Sequence, residues 1–583
     1  MERIGTRHNG TKIRRRKQSK KIIRIRKRAY KNMGWKERFI EIYGSGAARE
    51  WLPELEKRMQ AAGETLQNKT GGTKDQNVIL ITYPDQFYGE ENNLTLFERF
   101  AQMYLEGVFD VVHFLPFCPY SSDDGFSVID YKSLADGLGE WENLERLSGQ
   151  FILMYDFVCN HVSAESKWFL KCLAGDKAYE NFFIEADPKA DWSMVIRPRT
   201  TPLLTGFSAA DGEKYYWTTF SEDQIDLNYH NPAVFWEAAD IFLTYLERGG
   251  TWIRLDAIGF LWKEAGTSCM HHENTHRIVK LFRAMMEEVC PEGRIVTETN
   301  VPHEDNVSYF GNGYDESHMV YQFPLPMLVL YSFYKKEASV LSNWASGLSL
   351  PSDKTCFFNF LASHDGIGIN PVRSIVPEEE IDRLVVHLQE KSDALVSYKE
   401  NADGSRSAYE VNVSYFSALQ EDYDFETAKC RYLNAHGVLL GMQGDAAVYI
   451  NSYLGVENDR EGVSRTGRNR SINRKKFAYG QLMKELEETQ SRTAQIRKEM
   501  ERLIRVRKSC DAFDTHARQT VLREQKELFG YIRSGKTKTV LCLHNFSDKT
   551  IERAGVSGRD LLSGEEIEES VKIAPFDFKW IAL

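Results

Sequence analysis

The sequence predicts an α/β chain built on a (β/α)8 TIM barrel, with insertions after the third and seventh strands and a C-terminal β domain. Three observations carry this expectation. Eight short runs rich in apolar and β-branched residues alternate with segments whose apolar residues recur every three or four positions. Strands alternating with helices imply a parallel sheet, and eight such units imply a closed barrel. Two intervals, 162–226 and 366–425, are too long to be simple connections, and such insertions on the C-terminal side of a barrel build substrate pockets. From about Ala512 the pattern changes to short strands with turns.

Residues 1–33 stand apart by charge. They hold fourteen Lys or Arg against Glu2, a charge of +13, so the chain's net −10 leaves −23 for the remainder. The block has neither aromatic interleaving nor a folded reader module, which argues against nucleic-acid binding and for an unfolded appendage, or for a start at Met33. Residues 34–75 read as an N-terminal helical hairpin. Its apolar positions include Trp35, Phe39, Ile40 and Tyr43, then Trp51, Leu52, Leu55 and Met59, and Gly71-Gly72 closes it. The barrel, residues 76–161 and 227–509, starts with the runs Val78–Tyr83, Val111–Leu115 and Phe151–Phe157. Trp252–Leu255, Ile295–Thr297, Met319–Phe323, Phe357–Leu361 and Ala447–Ile450 follow. Helical patterns over Leu96–Leu105, Phe235–Glu247, His276–Val289 and Glu378–Leu388 lie among them, and 477–509 reads as one long helix closing the barrel. Residues 510–583 form the β domain.

Composition is that of an ordinary globular protein, 42% hydrophobic and 27% charged, with 12% aromatic residues that suit carbohydrate binding. No apolar run approaches the roughly 20 residues needed to span a bilayer. The basic N-terminus is not followed by the apolar core of a secretory signal. Nine scattered cysteines without a CxxC pair argue for reduced thiols and a cytoplasmic location. Cys269, His271, His272 and His276 have the residue types of a metal site but fall in a loop and helix start, and no metal or cofactor is expected.

The chemistry gathers at strand ends. Arg254 and Asp256 close the fourth strand, two apart and therefore on one face, so the guanidinium is expected to keep the carboxylate ionised. Glu298 ends the fifth strand and His364-Asp365 the seventh. Three carboxylates on one rim suit glycosyl transfer, in which one attacks the anomeric carbon, one protonates the leaving oxygen and one stabilises the cationic transition state.

These residues carry a resemblance. Asp156-Phe-Val-Cys-Asn160-His161, Arg254-Leu-Asp256-Ala, Glu298 and His364-Asp365 match the four signature regions of the alpha-amylase-type glycoside hydrolases. Ile81-Thr-Tyr-Pro-Asp85, Leu115 to Asp130, Lys263 to Cys269 and Arg470-Ser-Ile-Asn-Arg474 resemble the sucrose phosphorylase subfamily. Within it the chain from about residue 34 looks most like the glucosylglycerate phosphorylases, for example in Trp217 to Asn228 and Glu298 to His303.

The resemblance implies roles. Asp256 would be the nucleophile, Glu298 the acid/base with a raised pKa, and Asp365 the transition-state stabiliser. Asp124, His161, Gln224, Arg254, His364 and Arg470 would hold the glucosyl hydroxyls, with Phe126 and Phe220 as aromatic clamps. Arg197, Arg199, Asn300 and Tyr409 are the phosphate or acceptor candidates. Sucrose phosphorylases carry a histidine where this chain has Asn300 and an aspartate where it has Ser407, which disfavours sucrose and removes a repulsion against an anionic acceptor. Gly441 to Ala447 departs from the usual Pro-Gly form. The implied activity is phosphorolysis of glucosylglycerate through a glucosyl-enzyme. Sucrose, sucrose 6-phosphate or glucosylglycerol phosphorolysis and retaining α-glucosidase action are the alternatives, and a catalytically silent binding protein is the reading from another class. The implied partners are a sugar substrate and inorganic phosphate, with no membrane and no nucleic acid, and a homodimer is compatible.

Overall fold

A computed structural model describes residues 33–67, 74–198, 201–400, 405–523 and 525–583. The basic extension up to residue 32, Gly71-Gly72 and Arg199 lie outside the described residues. Eight parallel strands close a barrel: β1 (Val78–Thr82), β2 (Val111–Phe114), β3 (Ile152–Val158), β4 (Trp252–Asp256), β5 (Arg294–Thr297), β6 (Met319–Tyr321), β7 (Cys356–Phe360) and β8 (Asp445–Tyr449). All eight expected runs are these strands. β8 pairs with β1 to close the ring, so no edge remains unpaired. The strands are buried on both faces, which is why they read as continuous apolar runs rather than alternating ones.

The N-terminal helix α1 (Trp35–Leu66) breaks at Gly44, whose φ of 77° is open to glycine at little steric cost. The break folds the two halves back on each other, bringing Lys36 onto Glu56. It packs on helices α2 (Pro232–Glu247) and α3 (Glu273–Val289). Trp35 and Phe39 are buried, Phe39 lies 6.0 Å from Phe235, and Arg58 binds Asp240 at 2.5 Å and Glu247 at 2.7 Å.

Residues 477–509 are not one helix. They form a two-residue strand and two helices, Tyr479–Glu487 and Arg492–Lys508. The Ser491 side chain accepts from the Ala494 N–H and starts the second helix, a capping preference stronger than the helix-forming composition around it. The segment between β3 and β4 contributes two antiparallel ribbons, and that after β7 a three-stranded sheet with Glu378–Ser392 as its helix. The C-terminal part carries a six-stranded sheet.

At the N-terminal end of the barrel, Asp445 joins distant parts of the chain. It accepts from Asn77 Nδ2 at 3.0 Å and Thr515 Oγ1 at 2.5 Å, with Arg294 at 3.7 Å. Arg507 and Arg533 donate to the carbonyls of Gly444 and Gly441, each at 2.9 Å. The unusual Gly441 to Ala447 stretch therefore belongs to this stabilising end and not to the end that bears the carboxylates.

Candidate active site

The register of the barrel assembles the centre. Asp156 on β3 pairs in register with Arg254 on β4, and Arg254 Nη1 contacts the Asp156 carboxylate while binding Asp256 Oδ1 at 2.7 Å. Arg254 Nε donates to Tyr321 Oη at 3.1 Å, and His113 Nε2 lies 2.9 Å from Asp156 Oδ2. Arg254 is thus a buried strut beneath the pocket floor. It does not line the cavity.

Glu298 follows β5, and its Oε2 accepts from the backbone N–H of Ala257, next to Asp256, at 3.2 Å. Asp365, beyond β7, takes Arg470 Nη1 at 2.5 Å and faces His364 Nε2 at 3.4 Å. Asp256, Glu298 and Asp365 all line one cavity of about 480 Å3 at the C-terminal end of the strands. Its wall also includes Phe126, His161, Phe220, Gln224, His364 and Arg470 from the expected glucosyl set, and Arg197, Asn300 and Tyr409 from the expected acceptor set.

The electrostatics differ from expectation at one carboxyl. Burial, reinforced by Glu298, Asp156 and Asp365, pushes Asp256 well above the usual carboxylate range, and Arg254 opposes this incompletely. The reason is that Arg254 also serves Asp156, so it does not by itself keep Asp256 ionised. Burial also raises Glu298, with Asp365 adding to the shift and Arg254 opposing it. Burial disfavours the charged form of Asp365 too, but here surrounding cations win and hold it below its usual range. At neutral pH those cations are Arg470, Arg474 and Arg254, because burial pushes His364 down to about 3 and leaves it uncharged. The centre thus sets two carboxyls with raised proton affinity, Asp256 and Glu298, beside a carboxylate held ionised, Asp365.

Around it, the Phe126 ring stacks on His364 with centroids 4.6 Å apart, and Arg254 Cζ lies 5.9 Å from the same ring. Phe220 stands edge-on to Phe260 at 5.5 Å. His161 Nε2 and Gln224 Nε2 both converge on the Phe126 carbonyl, at 2.9 and 3.0 Å.

Two assignments shift. Asp124 does not line the cavity, where its neighbour Asp123 does, and Arg474 Nη1 donates to Asp124 Oδ2 at 2.6 Å. Arg470 is held between Asp365 and Glu410, the latter at 2.6 Å. Arg474, four residues on in the same motif, is the guanidinium next to Asp123 and Asp124, and the sequence motif contained it without distinguishing it from Arg470. Asp156, His113, Glu410 and Asp305 were also missed; of these Asp156 alone had a signal, its place in the quoted strand. Behind the cavity, Lys263 Nζ contacts Asp226 Oδ2 and Asn160 Oδ1, each at 2.7 Å, in a fully buried cluster.

The histidines near Cys269 do not converge. His271 Nδ1 faces Tyr309 Oη at 2.8 Å, His272 faces Glu264 at 3.1 Å and His276 faces Glu316 at 2.8 Å. Among the described residues no group of three or more His, Cys, Asp or Glu is placed to hold a metal ion, and no helix among them is long and apolar enough to cross a membrane.

Comparison with known proteins agrees with this geometry. Residues 103–365 match the alpha-amylase catalytic domain. The chain is 44% identical over 550 residues to the glucosylglycerate phosphorylase of Escherichia coli K12, covering 93% of this chain and 98% of that protein. It is 47% identical over 476 residues to that of Spirochaeta thermophila, covering 81% and 80%. Among solved structures, sucrose 6F-phosphate phosphorylase from Thermoanaerobacter thermosaccharolyticum superimposes with a TM-score of 0.72 at 24% identity, covering 86% of this chain and 99% of that one; this likeness supports the fold.

Proposed function

Because the chain belongs to the glucosylglycerate phosphorylase family, within the alpha-amylase-type glycoside hydrolases, we propose that it converts glucosylglycerate and phosphate to α-D-glucose 1-phosphate and glycerate with retention at the anomeric carbon. The observation that carries the reading is the convergence of Asp256, Glu298 and Asp365 on one cavity, in a chain of this ancestry. Asp256 Oδ attacks the anomeric carbon as Glu298 gives its proton to the departing glycerate oxygen, leaving a β-glucosyl ester. The raised pKa of Glu298 is what a general acid needs. As positive charge grows on the sugar ring, the fixed negative charge of Asp365 and the Phe126 ring face stabilise it. The positive charge growing on the ring, not Asp365, is what favours the ionised form of Asp256 as it attacks. Phosphate then attacks the anomeric carbon from the opposite face, the bond to Asp256 breaks to release its carboxylate, and Glu298 takes back a proton from the phosphate. Arg197, from the first insertion, with Asn300 and Tyr409, supplies donors to the phosphate.

His161, Gln224 and His364 bind the glucosyl unit in this reading, and the Asp124–Arg474 pair, outside the cavity lining, stands beside Asp123. All nine cysteines are free thiols, which supports a reducing cytoplasmic setting; a homodimer rests on the resemblance alone, and sedimentation would test it. Phosphate-dependent release of glucose 1-phosphate from glucosylglycerate, sucrose, sucrose 6-phosphate and glucosylglycerol tests the activity. Release chiefly from glucosylglycerate is expected. Preference for another donor would reassign the acceptor, and glucose formation without phosphate dependence would make the protein a hydrolase.

A further inference from the structure

The cavity is lined by many carboxylates: Asp123, Asp256, Glu298, Asp305, Asp365 and Glu410. An anionic acceptor entering it meets like charge, so a cation must offset that field where the acceptor sits. Three basic side chains line the same space, Arg197, Arg470 and Lys399. Arg470 is committed to Asp365 at 2.5 Å and Glu410 at 2.6 Å. Arg197 presents a guanidinium fork, the geometry suited to a phosphate with several oxygens to satisfy.

Lys399 is different in placement and chemistry. It lies on the strand Leu395–Glu400, paired antiparallel with Arg406–Asn412, in a register that puts it directly opposite Ser407. Residues opposite each other share a face, so Lys399 and Ser407 stand on one side of this hairpin, and Tyr409, the extra residue where the register shifts, lines the cavity together with Lys399. The residue facing Lys399 across the ladder is uncharged. A compact ammonium on a flexible stem suits a single carboxylate better than it suits a phosphate needing several fixed donors.

We propose that Lys399 is the counter-ion for the acceptor's carboxylate, and so a specificity determinant for the glycerate end of the substrate. This rests on the phosphorylase reading above and names its acceptor-side cation. The test compares Lys399→Met and Lys399→Arg with the wild type on two donors, glucosylglycerate and α-glucosyl fluoride, each with inorganic phosphate. The fluoride donor has no acceptor carboxylate, and it reports phosphate use independently.

The Met variant should lose about tenfold or more in kcat/KM on glucosylglycerate while staying within about twofold on the fluoride, including its KM for phosphate. The Arg variant should recover most of the loss. Because Lys399 is exposed, thermal melting should be unchanged. Equal losses on both donors with a raised KM for phosphate would overturn the proposal and give Lys399 to phosphate, and unchanged kinetics on both would overturn it outright. A wild type that uses the fluoride but ignores glucosylglycerate would overturn the functional reading instead, and this proposal with it.

Discussion

Replacing Arg254 by Met should destabilise the protein by about 3–5 kcal/mol at neutral pH, the range for removing one partner of a buried ion pair. The side chain is 2% exposed and stands between Asp156, 0% exposed, and Asp256, 11% exposed. Methionine fills similar volume, so little of the loss comes from a cavity; it comes from two carboxylates left facing each other. The pH dependence separates this from a packing effect. In the native protein burial would raise Asp156, but Arg254 and His113 outweigh it and hold its pKa below the ordinary value. Its contribution is therefore present above the unfolded carboxylate pKa of about 3.9 and is lost as pH falls through the lower folded value. Without Arg254 the shift reverses. A raised folded pKa makes stability fall as pH rises from about 4 upward, so the deficit should be largest near pH 7.5 and shrink toward pH 5. Urea unfolding of both proteins at the two pH values measures this. A variant matching wild type at pH 7.5, or a deficit independent of pH, would refute the argument that the guanidinium supports both acids.

Three further outcomes follow from the site. Asp256→Asn should lower turnover by at least about 10^4-fold with the fold intact by circular dichroism, as expected when a nucleophile is removed; near-normal rates would remove Asp256 from that role. Burial raises Glu298, so kcat/KM should fall as pH rises through a pKa above the ordinary glutamate value of about 4.3, and Glu298→Gln should abolish that limb of the profile. Lys263→Met leaves Asp226 buried without its cation, and a stability loss of about 3–5 kcal/mol is expected in denaturant titration; a change below about 1 kcal/mol would show that the bonds Asp226 accepts from Asn160 Nδ2 and from the Thr219 N–H and hydroxyl, at 2.9, 2.8 and 2.6 Å, suffice for that carboxylate.

The barrel was legible because doubly buried parallel strands leave unbroken apolar runs, such as Val78 to Thr82 and Val111 to Phe114, which few other elements produce. Asp256, Glu298 and Asp365 were legible because each closes or follows such a run. What escaped depends on partners far away in the chain. Arg470 sits in a short 3-10 turn, Asn469–Asn473, and Arg474 caps its C-terminal end, and nothing local says that one meets Asp365 while the other meets Asp124. Arg254 looked like a private partner of Asp256 because they are two residues apart, yet Asp156, from a strand nearly a hundred residues earlier, takes the same nitrogen. Lys399 drew no notice because its meaning lies in the register of a hairpin, which sets it opposite the uncharged Ser407. The break before Ser491 was hidden by helix-favouring residues on either side.

The Asp445 junction has a bearing on how the molecule is made. During synthesis β1 emerges early, but its outer neighbour β8 and the Thr515 hydroxyl that joins them at Asp445 leave the ribosome only when most of the chain has been translated. Until then β1 presents an unpaired backbone flank, the kind of surface that captures other nascent strands. Ring closure is thus a late, long-range event that cannot precede translation of β8, and its junction at Asp445 cannot precede translation of Thr515.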